Sequence, residues 1–129
     1  MKVERVWAII ICLMVLLVCQ CGKKTAVPDD LIGVWETTAP TYADRFFEIK
    51  TDEVIFGTGE GKFDTYPITK VKMEKNREEQ KTLYIIFYKN TARQEYKFSF
   101  HYDPNQGTIR FKNQKQMVWT KKPLSPASN

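Results

Sequence analysis

The side chains with reactive chemistry are few in these 129 residues, and they are unevenly placed. The three cysteines, Cys12, Cys19 and Cys21, all lie near the N-terminus in or beside an apolar run, so the remaining chain has no thiol to pair or to bind a metal. A Cys19-Gln20-Cys21 pair with no histidine nearby makes a poor chelate. The one histidine, His101, sits between Phe100 and Tyr102 on the same face as Lys97 and Ser99, with no carboxylate and nucleophile at useful spacing, and reads as a surface residue. Gly57-Thr58-Gly59-Glu60-Gly61 has the glycine density of a phosphate-cradling loop. An extended segment follows it, however, rather than the helix whose N-terminus would hold an anion, so it reads as a hairpin loop. With no nucleophile elbow, metal-ligand spacing, cofactor fingerprint or isolated carboxylate pair, the chain reads as a non-enzyme without cofactor or metal.

The cysteines acquire a role from their surroundings. Lys2 and Arg5 precede an unbroken apolar stretch from Val6 to Val18, and Cys19-Gln20-Cys21-Gly22-Lys23-Lys24 then turns polar. These are the parts of an export signal, and the stretch is shorter than the roughly 20 residues needed to span a bilayer. The segment resembles a bacterial lipoprotein signal, in which a cysteine closing the apolar run is acylated with palmitate-type chains and becomes the mature N-terminus. The resemblance implies Cys21 as the attachment residue, with Val18 in the aliphatic position and Gly22-Lys23-Lys24 as the polar start; Cys19 is the alternative. Neither cysteine follows a small residue, which departs from the usual pattern. The implied organisation is a signal peptide over 1–20, a polar tether over 21–30, one folded domain over 31–122 and a disordered tail over 123–129. The domain would lie outside the cytoplasm, at the cell membrane or outer membrane.

A formal net charge of +5, with both signs interleaved, favours proximity to anionic headgroups but supplies no dense basic stretch for nucleic acid. From Gly33 to Lys122 the pattern is strand after strand, with no sustained period of 3.6. The clearest strand is Arg93 to Tyr102: Tyr96, Phe98, Phe100 and Tyr102 fall on one face, and Arg93, Glu95, Lys97, Ser99 and His101 on the other. Other strands are expected over Val34–Thr38, Arg45–Lys50, Glu53–Gly57, Lys62–Met73 with a bend at Pro67 and with Phe63 and Thr65 in phase with Val71 and Met73, Thr82–Lys89, Thr108–Lys112 and Met117–Thr120.

Because opposed residues share a face, turn lengths set the register. A two-residue turn at Thr51-Asp52 puts Ile49 against Val54, Phe47 against Phe56 and Lys50 against Glu53. An even loop from Pro104 to Gly107 brings Tyr102 to Ile109 and Phe100 to Phe111. A three-residue turn at Asn113-Gln114-Lys115 would set Phe111 against Met117 and Ile109 against Trp119. A two-residue turn at Asn90-Thr91 or Thr91-Ala92 would point Leu83, Ile85 and Phe87 inward and leave Tyr84, Ile86 and Tyr88 as an outer apolar stripe.

Eight short antiparallel strands suit an all-β, up-and-down barrel, whose closure removes exposed edges, with a flattened sandwich or half-open barrel as the alternative. Gly33-Val34-Trp35 near the start of the first strand, and Trp119-Thr120-Lys121-Lys122 at the end of the last, resemble the lipocalin-like (calycin) barrels. The resemblance implies that Gly33 and Trp35 form the barrel floor and that a basic residue near the C-terminal end stacks over the tryptophan. It also implies a small hydrophobic or amphipathic ligand. Phe47, Phe56, Tyr96, Phe98, Phe100, Tyr102 and Phe111 would line its pocket, since an eight-strand barrel either fills with side chains or holds one small ligand. The alternative is a protein-interaction module, such as an inhibitor of an envelope enzyme or an assembly factor, using Tyr84, Ile86 and Tyr88.

Overall fold

The computed structural model describes residues 26–123. The expected signal segment, both candidate attachment cysteines and most of the tail lie outside them. The described chain is all-β: β1 (Gly33–Glu36), β2 (Phe46–Ile49), β3 (Glu53–Gly59), β4 (Lys62–Asn76), β5 (Lys81–Lys89), β6 (Glu95–Asp103), β7 (Thr108–Phe111) and β8 (Gln114–Lys121). Each pairs antiparallel with its sequence neighbour, and β1 pairs with β8, closing an up-and-down barrel. Closure leaves no whole strand at a sheet edge, although β8 meets β1 only through Trp35–Lys121 and Glu36–Thr120. Single 3₁₀ turns at Asp29–Leu31 and Pro40–Tyr42 flank β1 at opposite ends of the barrel.

Most of the expected registers hold. Ile49 faces Val54 and Phe47 faces Phe56 across the tight turn, whose Lys50 N–H donates to the Glu53 carbonyl at 2.9 Å. Tyr102 faces Ile109 and Phe100 faces Phe111. The Glu60-Gly61 hairpin has φ of +57° and +73° at its two central residues, the positive values a type I′ turn requires.

Three registers differ, each by a backbone irregularity. The β5–β6 loop is odd rather than even. The Arg93 N–H donates to the Asn90 carbonyl at 3.0 Å, Arg93 adopts φ +62°, and Asn90 and Gln94 bond through both backbone and side chain. This is the three-residue hairpin built from a turn followed by a left-handed residue. It sets Tyr84 opposite Phe100, Ile86 opposite Phe98 and Tyr88 opposite Tyr96. The expected outer stripe is therefore inside: Tyr84 is buried, Ile86 fully so, and Tyr88 packs against the core. Leu83, Ile85 and Phe87 take the outer face.

Between Ile68 and Lys70 the β4–β5 register also shifts, so Tyr66 and Ile68, not Phe63 and Thr65, share the interior with Val71; Phe63 stays 62% exposed. The strand runs through Pro67 unbroken. At β7–β8, Ile109 faces Trp119 as expected, but a bulge brings Phe111 to Gln114 instead of Met117.

The end of the barrel nearer the leader is filled. Leu31, Ile49, Val54, Ile86, Phe100 and Ile109 have no exposed surface, and Trp35 is 1% exposed. The Trp35 indole N–H donates to the Leu31 carbonyl at 3.0 Å, which closes the leader turn over the ring. Lys121 lies directly opposite Trp35 across β1–β8. Its stem crosses Gly33, its Nζ sits 5.4 Å over the Trp35 ring, and it donates to the Asp30 carbonyl at 2.7 Å. A Cβ on Gly33 would meet that stem at 3.1 Å, and Gly33 holds φ +145°, so glycine is required there. Gly33 and Trp35 thus form the floor, with a lysine covering the ring. The leader docks earlier than a tether over 21–30 would: Val27 is already buried against the barrel.

Candidate functional site at the barrel mouth

The seven expected pocket residues all face inward, but they divide between the two ends. Phe100 is fully buried, and Tyr102 lies at the floor with its ring edge-on to Trp35 at 6.2 Å. Phe47, 2% exposed, links the levels by stacking on Trp35 at 6.2 Å and tilting against Trp119 at 5.1 Å. Phe56, Phe98 and Phe111 are half-buried toward the opposite end, and Tyr96 on the rim is 46% exposed.

These mouth rings form a continuous aromatic surface. Phe56 lies 5.5 Å from both Tyr88 and Phe98, Tyr88 lies 5.2 Å from Tyr66 and 5.8 Å from Tyr96, and Phe111 lies 5.7 Å from Trp119. Such offset and edge-on pairs add about 0.5–1.5 kcal/mol each beyond burial. Tyr66 and Tyr88 were not anticipated as members. Their only signal was an alternation whose phase depends on the Thr69 bulge and the β5–β6 loop.

Beside this surface, between the β1–β2 connection and the rim of β3, β7 and β8, lies a cleft of about 320 Å³. Phe47, Phe56, Phe111 and Trp119 supply its apolar lining, while Tyr42, Arg45, Thr58 and Gln114 supply polar groups. Local chemistry positions them. Pro40 opens the 3₁₀ turn that holds Tyr42, whose ring packs edge-on to Trp119 at 6.3 Å under the Arg45 guanidinium at 5.5 Å. Gln114, turned inward by the β7–β8 bulge, donates through Nε2 to the Tyr42 hydroxyl at 3.5 Å. Gly57 is needed here: a Cβ would meet the Phe46 ring at 2.3 Å. The Trp119 indole N–H is buried and has no acceptor, an arrangement that costs about 1–3 kcal/mol when a donor is left unmade.

Burial holds the Tyr88 phenol above its usual pKa, with Tyr66 and Tyr96 adding to the effect. Its hydroxyl therefore remains a donor at neutral pH. Among the described residues no group of three or more His, Cys, Asp or Glu side chains could hold a metal ion, and no helix is long and apolar enough to cross a membrane. The mouth can thus bury an apolar body, stack on flat groups and donate hydrogen bonds. A second, polar cleft lies on the outer wall and shares no residue with this one. No protein-family model matches the chain, and no curated protein or solved structure is significantly similar to it.

Proposed function

We propose that the chain is a lipid-anchored protein of the cell envelope whose barrel mouth binds a small hydrophobic or amphipathic molecule. The observation that carries the binding half is the Trp119 donor, buried without a partner beside an aromatic cleft of about 320 Å³. A ligand carbonyl or carboxylate is the kind of acceptor this donor lacks. Arg45 and Gln114 on the same cleft favour a polar or anionic head, and Phe47, Phe56 and Phe111 favour an apolar body. Burying about 200 Å² of that body contributes about 5 kcal/mol before the cost of immobilising it. The filled floor keeps the ligand at the mouth rather than deep in the barrel.

Native mass spectrometry of the purified protein should reveal a co-purifying small molecule, and a fluorescent fatty acid should bind saturably. Phe56→Ala and Phe111→Ala should each weaken the probe about tenfold by removing stacking surface. A protein that carries nothing and gives only linear probe signals would end this reading.

The anchoring half rests on the sequence of the export segment. Two or more acyl chains, at about 0.8 kcal/mol per buried methylene, hold a protein at a membrane where one does not. Cys21→Ser should release it from the membrane fraction with loss of the acyl mass, while Cys19→Ser should leave both unchanged. The reverse pattern would move the attachment to Cys19.

The protein-interaction alternative no longer has Tyr84, Ile86 and Tyr88 to offer. Its surface would pass to Leu83, Ile85 and Phe87, which are only half-exposed, with Lys70 and Lys72 lying 6.0 and 5.5 Å over the Phe87 ring.

A further inference from the structure

The polar cleft on the outer wall has a volume of about 450 Å³ and lies where the wet faces of four consecutive strands converge. Lys81 comes from the start of β5, His101 from β6, Arg110 from β7 and Lys115 from β8, with Glu79 from the β4–β5 turn and Asp103 from the end of β6. Register explains the convergence. His101 lies opposite Arg110 across β6–β7, and the bulge that turns Gln114 inward leaves Lys115 on the outer face.

Three features separate this cleft from an ordinary charged surface. The Arg110 Nη1 donates to the Lys115 carbonyl at 2.7 Å, which fixes the guanidinium with one of its five N–H donors. Asp103 is committed to its own turn, its Oδ1 accepting the Asn105 N–H at 3.0 Å and the Gln106 N–H at 3.4 Å. Among the described residues, Lys122 and Glu36 form the single ion pair, so Lys81, Arg110 and Lys115 share a cleft with two carboxylates and pair with neither.

We propose that this cleft binds a tetrahedral oxyanion, a phosphate or sulfate group, with Arg110 as its forked contact and Lys81 and Lys115 as flanking charges. A planar guanidinium presents parallel N–H groups to two oxygens of such an anion, and ammonium groups supply compact charge beside it. The group arrives either on a soluble phosphoester or as the headgroup of a phospholipid. The site is independent of the mouth and of what binds there.

His101 reports occupancy. Burial is the first cause that lowers its pKa; Lys115, Lys81 and Lys112 lower it further, and Glu79 acts the other way. Arg110 and Asp103 line the same cleft with opposite charges. An oxyanion offsets the cations and favours the imidazolium, so binding raises the His101 pKa, and affinity rises as pH falls through it.

The test is an NMR titration of the full chain with sodium sulfate at constant ionic strength, following the His101 ring; sulfate does not titrate near neutrality. A saturable shift with an upward-moving His101 pKa is expected, about tenfold weaker in Arg110→Gln. Glu79→Gln should bind more tightly, an outcome that misfolding cannot produce, and Lys50→Gln at the β2–β3 turn should change nothing. Linear shifts, or identical curves in wild type and Arg110→Gln, overturn the site. Competition then identifies the source. Soluble short-chain phosphatidylglycerol displacing sulfate better than glycerol phosphate assigns a lipid headgroup, and the reverse order assigns a soluble phosphoester.

Discussion

Trp35 at one end of the barrel is 1% exposed, roofed by Leu31 and crossed by Lys121, whereas Tyr96 at the other end is 46% exposed and stacks on Tyr88 with its hydroxyl donating to Gln94 at 3.1 Å. Both ends are aromatic, and both sit on the same closed ladder. The difference is cover. The leader brings its own apolar residues and a carbonyl to the floor, which satisfies the Trp35 indole. The mouth receives only a short turn carrying Tyr42, and the Trp119 indole is left without an acceptor. The covered and satisfied end is packed as core; the partly open end with an unmet donor is the one the proposed ligand would use.

The contrast can be broken most directly by truncation. Trp35→Ala removes a buried ring from a packed end and should cost about 3–5 kcal/mol, whereas Tyr96→Ala on the rim should cost under about 1 kcal/mol. Chemical denaturation of both variants measures the gap. Equal costs would mean that the mouth is as tightly built as the floor.

Alkaline titration sharpens the same comparison. Burial is the main cause that raises the Tyr84 and Tyr102 phenols at the floor, with Asp30 next, whereas Tyr88 at the mouth is raised by burial and then by Tyr66 and Tyr96. A folded pKa above 10 means that the fold favours the protonated phenol. That stability is fully present below pH 10 and is lost as pH rises through the folded values. Asp30→Asn keeps the backbone carbonyl that Lys121 uses, so it should bring the floor tyrosines closer to 10 and leave Tyr88 unmoved. Ultraviolet titration of phenolate, with Tyr88→Phe as the reference, separates the two ends.

How far the sequence discloses this arrangement follows from the turns. Thr51-Asp52 and the Asp103 to Gly107 stretch carry strong turn chemistry, so parity could be counted across them and Phe47, Phe56, Phe100, Tyr102 and Ile109 were placed correctly. The Gly-x-Trp start pointed to this end through its resemblance to calycin barrels, and Gly33 holds φ +145° there with the Lys121 stem 3.1 Å from where a Cβ would sit. Parity failed where the backbone takes an extra residue without a glycine to mark it. Leu83, Ile85 and Phe87 are as apolar as Tyr84, Ile86 and Tyr88, so composition could not choose the buried face. The outer cleft was also hidden, since His101, Arg110 and Lys115 come from three strands and meet only once the registers of β6, β7 and β8 are set.

The choice between the two faces of β5 rests on one residue. Arg93 holds φ +62°, a conformation that disfavours a side chain with a Cβ by about 1–2 kcal/mol, while glycine enters it freely at the cost of a looser unfolded chain. Arg93→Gly should therefore raise stability slightly, by about 0.5 kcal/mol. If β5 instead ran in the even register, with Tyr84, Ile86 and Tyr88 outside, residue 93 would lie in a regular strand and the same substitution would destabilise by a similar amount. The sign of this small change, read from paired denaturation curves, decides whether Tyr88 belongs to the mouth.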